Sequence, residues 1–160
     1  MAAERNGNAR QAFEDDVGNA LSGDALERAL DFASYLRANE MAVGEKRNSA
    51  AYKGASVCFM RIGGAAPVSG SWTVWPFGDF GSERAGVPLS ERMKEIAWAN
   101  VNVCDGCTES CDKGTRKRIL GKEFDNVCSS SFAFCNPDGD ALECVKKLLE
   151  MRKRAILEGA

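Results

Sequence analysis

A chain of 160 residues, 44% hydrophobic and 28% charged, has the length and composition of one globular domain with a real hydrophobic core. No apolar run approaches the roughly 20 residues that span a bilayer. A net charge of −2, divided as 11 basic and 13 acidic side chains in residues 1–103 and ten of each in 104–160, excludes a domain organised around neutralising phosphates. The absence of histidine removes the commonest general base and the usual Ser-His and Cys-His pairs. The opening residues, Met1 to Asn8, carry both charge signs and no apolar stretch, so a secretory signal is not expected and a cytoplasmic address is.

Residues 1–22 are polar with isolated apolar positions at Phe13, Val17 and Leu21, and read as a frayed or partly helical lead-in. The spacing of Asp24-Ala25-Leu26-Glu27 suggests a capping box, and Leu26, Ala29, Leu30, Ala33 and Leu36 continue at helical intervals to about Asn39. Ser56 to Ile62 suits a strand covered on both faces, and Ser71 to Trp75, ended by Pro76, suits a second; together they predict an antiparallel hairpin with a long loop. Residues 77–89 form a loop rich in Gly and Pro, after which Ser90 can cap a helix with Met93, Ile96, Ala97 and Val101 on one face. Thr115 to Leu120 and Glu123 to Cys128 are expected to pair across Gly121-Lys122, with Ser131 to Phe134 as a further strand. A last helix is predicted from Asn136 as N-cap and Pro137 as first residue, with Leu142, Val145, Leu148, Leu149 and Ile156 on its core face.

The chemistry concentrates in residues 104–135, which hold five of the seven cysteines. Cys104 and Cys107 form a Cys-x-x-Cys pair through Asp105-Gly106, Cys111 adds a third sulfur, and Cys128 returns after a strand-turn-strand excursion. Four thiolates select a soft metal, and Cys104, Cys107, Cys111 and Cys128 are the expected ligands, with Cys135 as the alternative fourth. A structural zinc is the leading reading, with an iron-sulfur cluster on the same ligands as the alternative. Thiol redox chemistry through Cys104 and Cys107 is a third reading, weakened because the pair follows a helix carboxyl end rather than preceding an amino end. Lys113, Arg116, Lys117, Arg118 and Lys122 could balance the charge of a four-thiolate site. Cys58 and Cys144, on apolar faces of a strand and a helix, read as core residues.

Outside the cysteines, Trp75, Phe77 and Phe80 are candidates for lining a small-ligand pocket, set against the commoner use of aromatics as core. No phosphate-binding glycine loop is present, Asp79-Phe80-Gly81 matches a kinase motif by letter only, and the densest acidic group, Glu14-Asp15-Asp16, lies in the lead-in. The sequence therefore points away from an enzyme, and towards a metal-binding domain with an unidentified small molecule or protein as partner.

The run Ala51 to Phe59, the strand Trp72 to Trp75 and the passage Phe134-Cys135-Asn136-Pro137 into a terminal helix resemble the small bacterial YdhG-like domains over roughly residues 24–157, the cysteine segment excepted. The resemblance implies a frataxin-like α+β sandwich with helices over one face of an antiparallel sheet, and a link to iron handling in part of the family. The expected architecture is α+β: an antiparallel sheet of about five strands, two to three helices on one face, and a Cys-rich loop, all within one domain over residues 23–160.

Overall fold

Ala9, Phe13, Val17 and Leu21 recur every four residues, a spacing that stacks them on one helical face. They form the buried stripe of α1 (Ala2–Ala20) and the residue that ends it, with Phe13 and Val17 0% exposed. The segment expected to be a frayed or partly helical lead-in is thus helical over Ala2–Ala20. Its apolar positions are few but all on one face, and the rest of the domain covers them. A computed structural model describes residues 2–44, 49–63, 71–82, 84, 86–106 and 113–159 of the protein.

After α1 come α2 (Gly23–Ala38), the short strands β1 (Ala42–Val43) and β2 (Ser49–Tyr52), β3 (Ala55–Ile62), β4 (Trp72–Pro76), α3 (Glu91–Ala99), β5 (Val101–Val103), β6 (Thr115–Ile119), β7 (Lys122–Phe132), β8 (Phe134–Cys135) and α4 (Gly139–Leu157). The expected α+β class and five-stranded antiparallel sheet are present, in the order β1-β2-β3-β4-β8, and a second sheet of three strands, β5-β7-β6, stands beside the first. Helices α1, α2 and α4 pack on the larger sheet. Cys58, Met60, Trp72 and Val74 face that core, and Phe32 of α2 meets the Trp72 ring at 5.8 Å. The opposite face carries Phe59, Arg61 and Trp75, so β3 is covered more fully on one side than the sequence suggested.

Three helix starts differ in detail from expectation or repeat it. Ser90 caps α3 by accepting the Met93 N–H, as expected. The expected capping box at Asp24 is absent: Ser22 is the N-cap of α2 and makes no side-chain cap bond. The last helix begins later than predicted, because Asn136 takes a left-handed conformation (φ 46°) and Asp138 accepts the Ala141 N–H as the N-cap.

The two sheets are joined through aromatic packing. Phe132 of β7 lies between Phe80, edge-on at 5.1 Å, and Phe134 of β8 at 5.8 Å. Trp98 of α3 donates its indole N–H to the Ile119 carbonyl at 2.8 Å and fixes the helix to β6.

Candidate metal centre

β7 is long, and both neighbours pair with it irregularly. Val101 pairs with Phe132 and Val103 with Val127, so two steps along β5 span five along β7, and the surplus bulges out at Cys128–Ser131. On the other side Thr115 pairs with Val127 and Lys117 with Phe124, which places a second bulge at Asp125 and Asn126. Asn126 is left-handed there (φ 57°), a conformation that Asn tolerates better than most residues.

Those two bulges organise the cysteine segment. The Cys104 N–H donates to the Asn126 carbonyl at 2.8 Å, and the Asn126 side-chain amide donates back to the Cys104 carbonyl at 2.9 Å. Gly114, where the chain returns towards β6, approaches the same residue so closely that a Cβ at that position would lie 2.7 Å from the backbone carbon and oxygen of Asn126. Both ends of the 104–114 connection are therefore held at Asn126, two residues from Cys128.

Cys128 opens the Cys-Ser-Ser-Ser bulge. The hydroxyls of Ser129 and Ser130 lie 3.9 and 3.8 Å from its sulfur. The backbone N–H of Ser130 is the main cause that holds its thiol below the ordinary value, with partial burial acting against it. Lys117 secures the bulge from β6: its ammonium donates to the carbonyls of Cys128 at 2.9 Å and Ser129 at 3.2 Å, and to the Ser131 hydroxyl at 3.4 Å.

Of the expected ligands, Cys104 directly follows β5 and Cys128 lies on the adjacent β7, on either side of the Val103/Val127 rung. Cys107 and Cys111 lie outside the described residues. Cys135 belongs to the other sheet, where β8 pairs it with Thr73 of β4, and it is exposed. Among the described residues no three Cys, Asp or Glu side chains gather into a metal-holding group. Cys58 and Cys144 are fully buried, and burial pushes each thiol up to about 12, as suits core residues.

The aromatic candidates separate. Trp75 lies on the outer face of the larger sheet, with Phe59 edge-on at 6.0 Å and the Arg61 guanidinium over its ring at 5.7 Å. Phe77 continues from β4, its N–H on the Val57 carbonyl at 2.9 Å. Phe80 is buried at the sheet junction and contributes to the wall of a cavity of about 360 Å³ that neither Trp75 nor Phe77 lines. Its other walls come from β6 and β7, including Lys117 and Ser131. The sequence names Lys117 only as a charge near the thiolates and Ser131 only as the start of a strand; their place in a cavity wall was not expected.

Compared with protein-family models, curated proteins and solved structures, the chain has no match. None of the described helices is long and apolar enough to cross a membrane.

Proposed function

We propose that this chain is a small cytoplasmic metal-binding protein in which Cys104, Cys107, Cys111 and Cys128 hold a structural zinc. The observation that carries the reading is the stem: Cys104 and Cys128 flank one rung of the β5/β7 ladder, and the connection that bears the other two cysteines begins and ends at Asn126. A loop closed on itself in this way needs only a short reach to bring Cys107 and Cys111 to the sulfurs at its base. Cys128 is favoured over Cys135 because the latter stands in the other sheet.

Chemically the donor set suits the ion. Zinc with four thiolates carries a net double negative charge and supplies a crosslink rather than an activated water. The Lys117 ammonium, bonded to the Cys128 carbonyl, offers a nearby positive charge, and the serine bulge favours the thiolate of Cys128. In this reading the metal fastens the 104–114 connection to the small sheet, and no residue is assigned a catalytic role. The YdhG-like resemblance enters as a proposal for the framework, and iron on the same sulfurs as the alternative cargo.

Elemental analysis of untagged protein with its visible spectrum tests the reading. One zinc per chain in a colourless protein, lost in Cys104→Ser and Cys128→Ser and kept in Cys135→Ser and Cys144→Ser, is expected. A brown protein with visible absorption replaces zinc by an iron-sulfur cluster. A metal-free protein that reduces insulin disulfides through Cys104 and Cys107 replaces both by thiol redox chemistry.

A further inference from the structure

The serine bulge turns several donors onto one sulfur. In a regular strand Ser129 would point away from Cys128, and Ser130 would lie about 7 Å further along, because side chains alternate between the two faces. The bulge across from Val101 and Val103 brings both back. The Ser129 and Ser130 hydroxyls stand 3.9 and 3.8 Å from the Cys128 sulfur, and the Ser130 backbone N–H is bonded to it as well. Cys104 differs: its backbone N–H and carbonyl are bonded to Asn126, and among the described residues its sulfur has no hydrogen bond.

One of the donors at Cys128 is directed from the neighbouring strand. Asn102 of β5 donates its side-chain amide to the Ser130 hydroxyl oxygen at 2.9 Å. An oxygen that accepts in this way keeps its own proton to donate, and the Ser130 hydroxyl donates to the Cys128 sulfur. Amide, hydroxyl and sulfur thus form a relay across the β5/β7 pair.

We infer that Asn102 and Ser130 are positioning residues for the metal thiolate of Cys128: Asn102 aims the Ser130 O–H at the sulfur, and that bond spreads the excess negative charge of the thiolate set. The inference rests on the metal reading given above. A group that orients a ligand without touching the metal typically accounts for about 10- to 100-fold in metal affinity. Reactivity follows from the same charge sharing. When iodoacetamide attacks, the Cys128 sulfur bonds to the CH₂ carbon as the C–I bond breaks and iodide leaves, and a sulfur that shares its charge with a donor reacts more slowly.

Cobalt(II) and zinc(II), loaded separately onto the full chain, test it. Cobalt is read by its sulfur-to-metal charge-transfer band; zinc is read by chelator competition and by alkylation of Cys128 with iodoacetamide, with Cys104 as internal reference. Ser130→Ala should move the cobalt band to longer wavelength, weaken zinc about tenfold or more, and speed alkylation of Cys128 relative to Cys104. Ser130→Thr, which keeps the hydroxyl, should restore all three. Asn102→Asp should act as Ser130→Ala does, because a carboxylate accepts the Ser130 proton and turns it from the sulfur. In the Ser130→Ala background Asn102→Asp should add little, since it acts through the hydroxyl already removed. Equal effects of Asn102→Asp with and without that hydroxyl, or an unchanged band, affinity and alkylation rate in Ser130→Ala, would overturn this inference alone. A wild-type chain that takes up neither ion would overturn the metal reading and this inference with it.

Discussion

Asn126 and Cys104 hold one another by two hydrogen bonds running in opposite directions, Cys104 N–H to Asn126 carbonyl at 2.8 Å and Asn126 side-chain amide to Cys104 carbonyl at 2.9 Å. The first joins the residue just beyond β5 to the bulge of β7, and the second is made by the side chain of Asn126, which is left-handed and bulged. Asn126→Ala should lose that bond and strain the backbone, costing about 1–3 kcal/mol. Asn126→Gly loses the bond alone and should cost less. Urea denaturation of the two variants measures the difference, and equal costs would contradict the role given to the φ of 57°.

Gly114 tests the other end of the same stem. A Cβ there meets backbone atoms of Asn126 at 2.7 Å, which no side-chain rotation relieves. Gly114→Ala should therefore destabilise the domain by about 1–3 kcal/mol, with faster amide exchange in β6 and β7 than in β3 and β4. A neutral effect would show that the stem is looser than described.

Removing Lys117 leaves the carbonyls of Cys128 and Ser129 without their donor. Lys117→Met should cost about 1–3 kcal/mol in the metal-free protein. If the zinc reading holds, it should also weaken zinc binding about tenfold or more in a chelator competition, as expected for a group that supports a metal ligand. Stability loss without affinity loss would confine Lys117 to the fold.

Alkaline pH should unfold the protein through its buried thiols. Cys58 and Cys144 have folded values raised to about 12 from an ordinary 9.0, so the folded state keeps the proton that the unfolded state releases. Their stability contribution is complete below pH 9 and is lost as pH rises from 9 towards 12. Tyr35, raised mainly by burial, acts in the same direction. Cys58→Ala should flatten the fall in stability between pH 9 and 11 in denaturant melts at successive pH values, and an unchanged slope would exclude Cys58 as a cause.

Phe13 tests whether α1 belongs to the domain. It is 0% exposed in a segment whose composition suggests fraying. Phe13→Ala should cost about 3–5 kcal/mol, while substitution of the exposed Asp15 should change little. A small effect of Phe13→Ala would return residues 1–22 to the status of a lead-in.

Periodicity made much of the frame legible. Leu142, Val145, Leu148 and Leu149 mark the buried face of α4, and Met60, Trp72 and Val74 mark the inner face of the sheet, because a period of 3.6 or 2 is set by backbone geometry and needs no knowledge of partners. The pairing of β6 with β7 was legible from the Gly121-Lys122 break alone, since neither flanking segment alternates between apolar and polar residues. Shorter strands such as β1, β2 and β5 carry too few residues to show a period. The second sheet was not legible, because strand order depends on which edges find each other after collapse.

The amino-acid sequence by itself determined the α+β class, the main helices and strands, and the concentration of thiols between residues 104 and 135, all of which are local in the chain. Only the tertiary structure decided that Cys104 and Cys128 flank one rung, Val103/Val127, while Cys135 stands in the other sheet. It also decided that Asn126 and Gly114 close the stem, and that Lys117 spans from one strand to the carbonyls of the next. These relationships depend on two bulges in β7, and a bulge is fixed by the combined register of both neighbouring strands, which no single stretch of sequence contains.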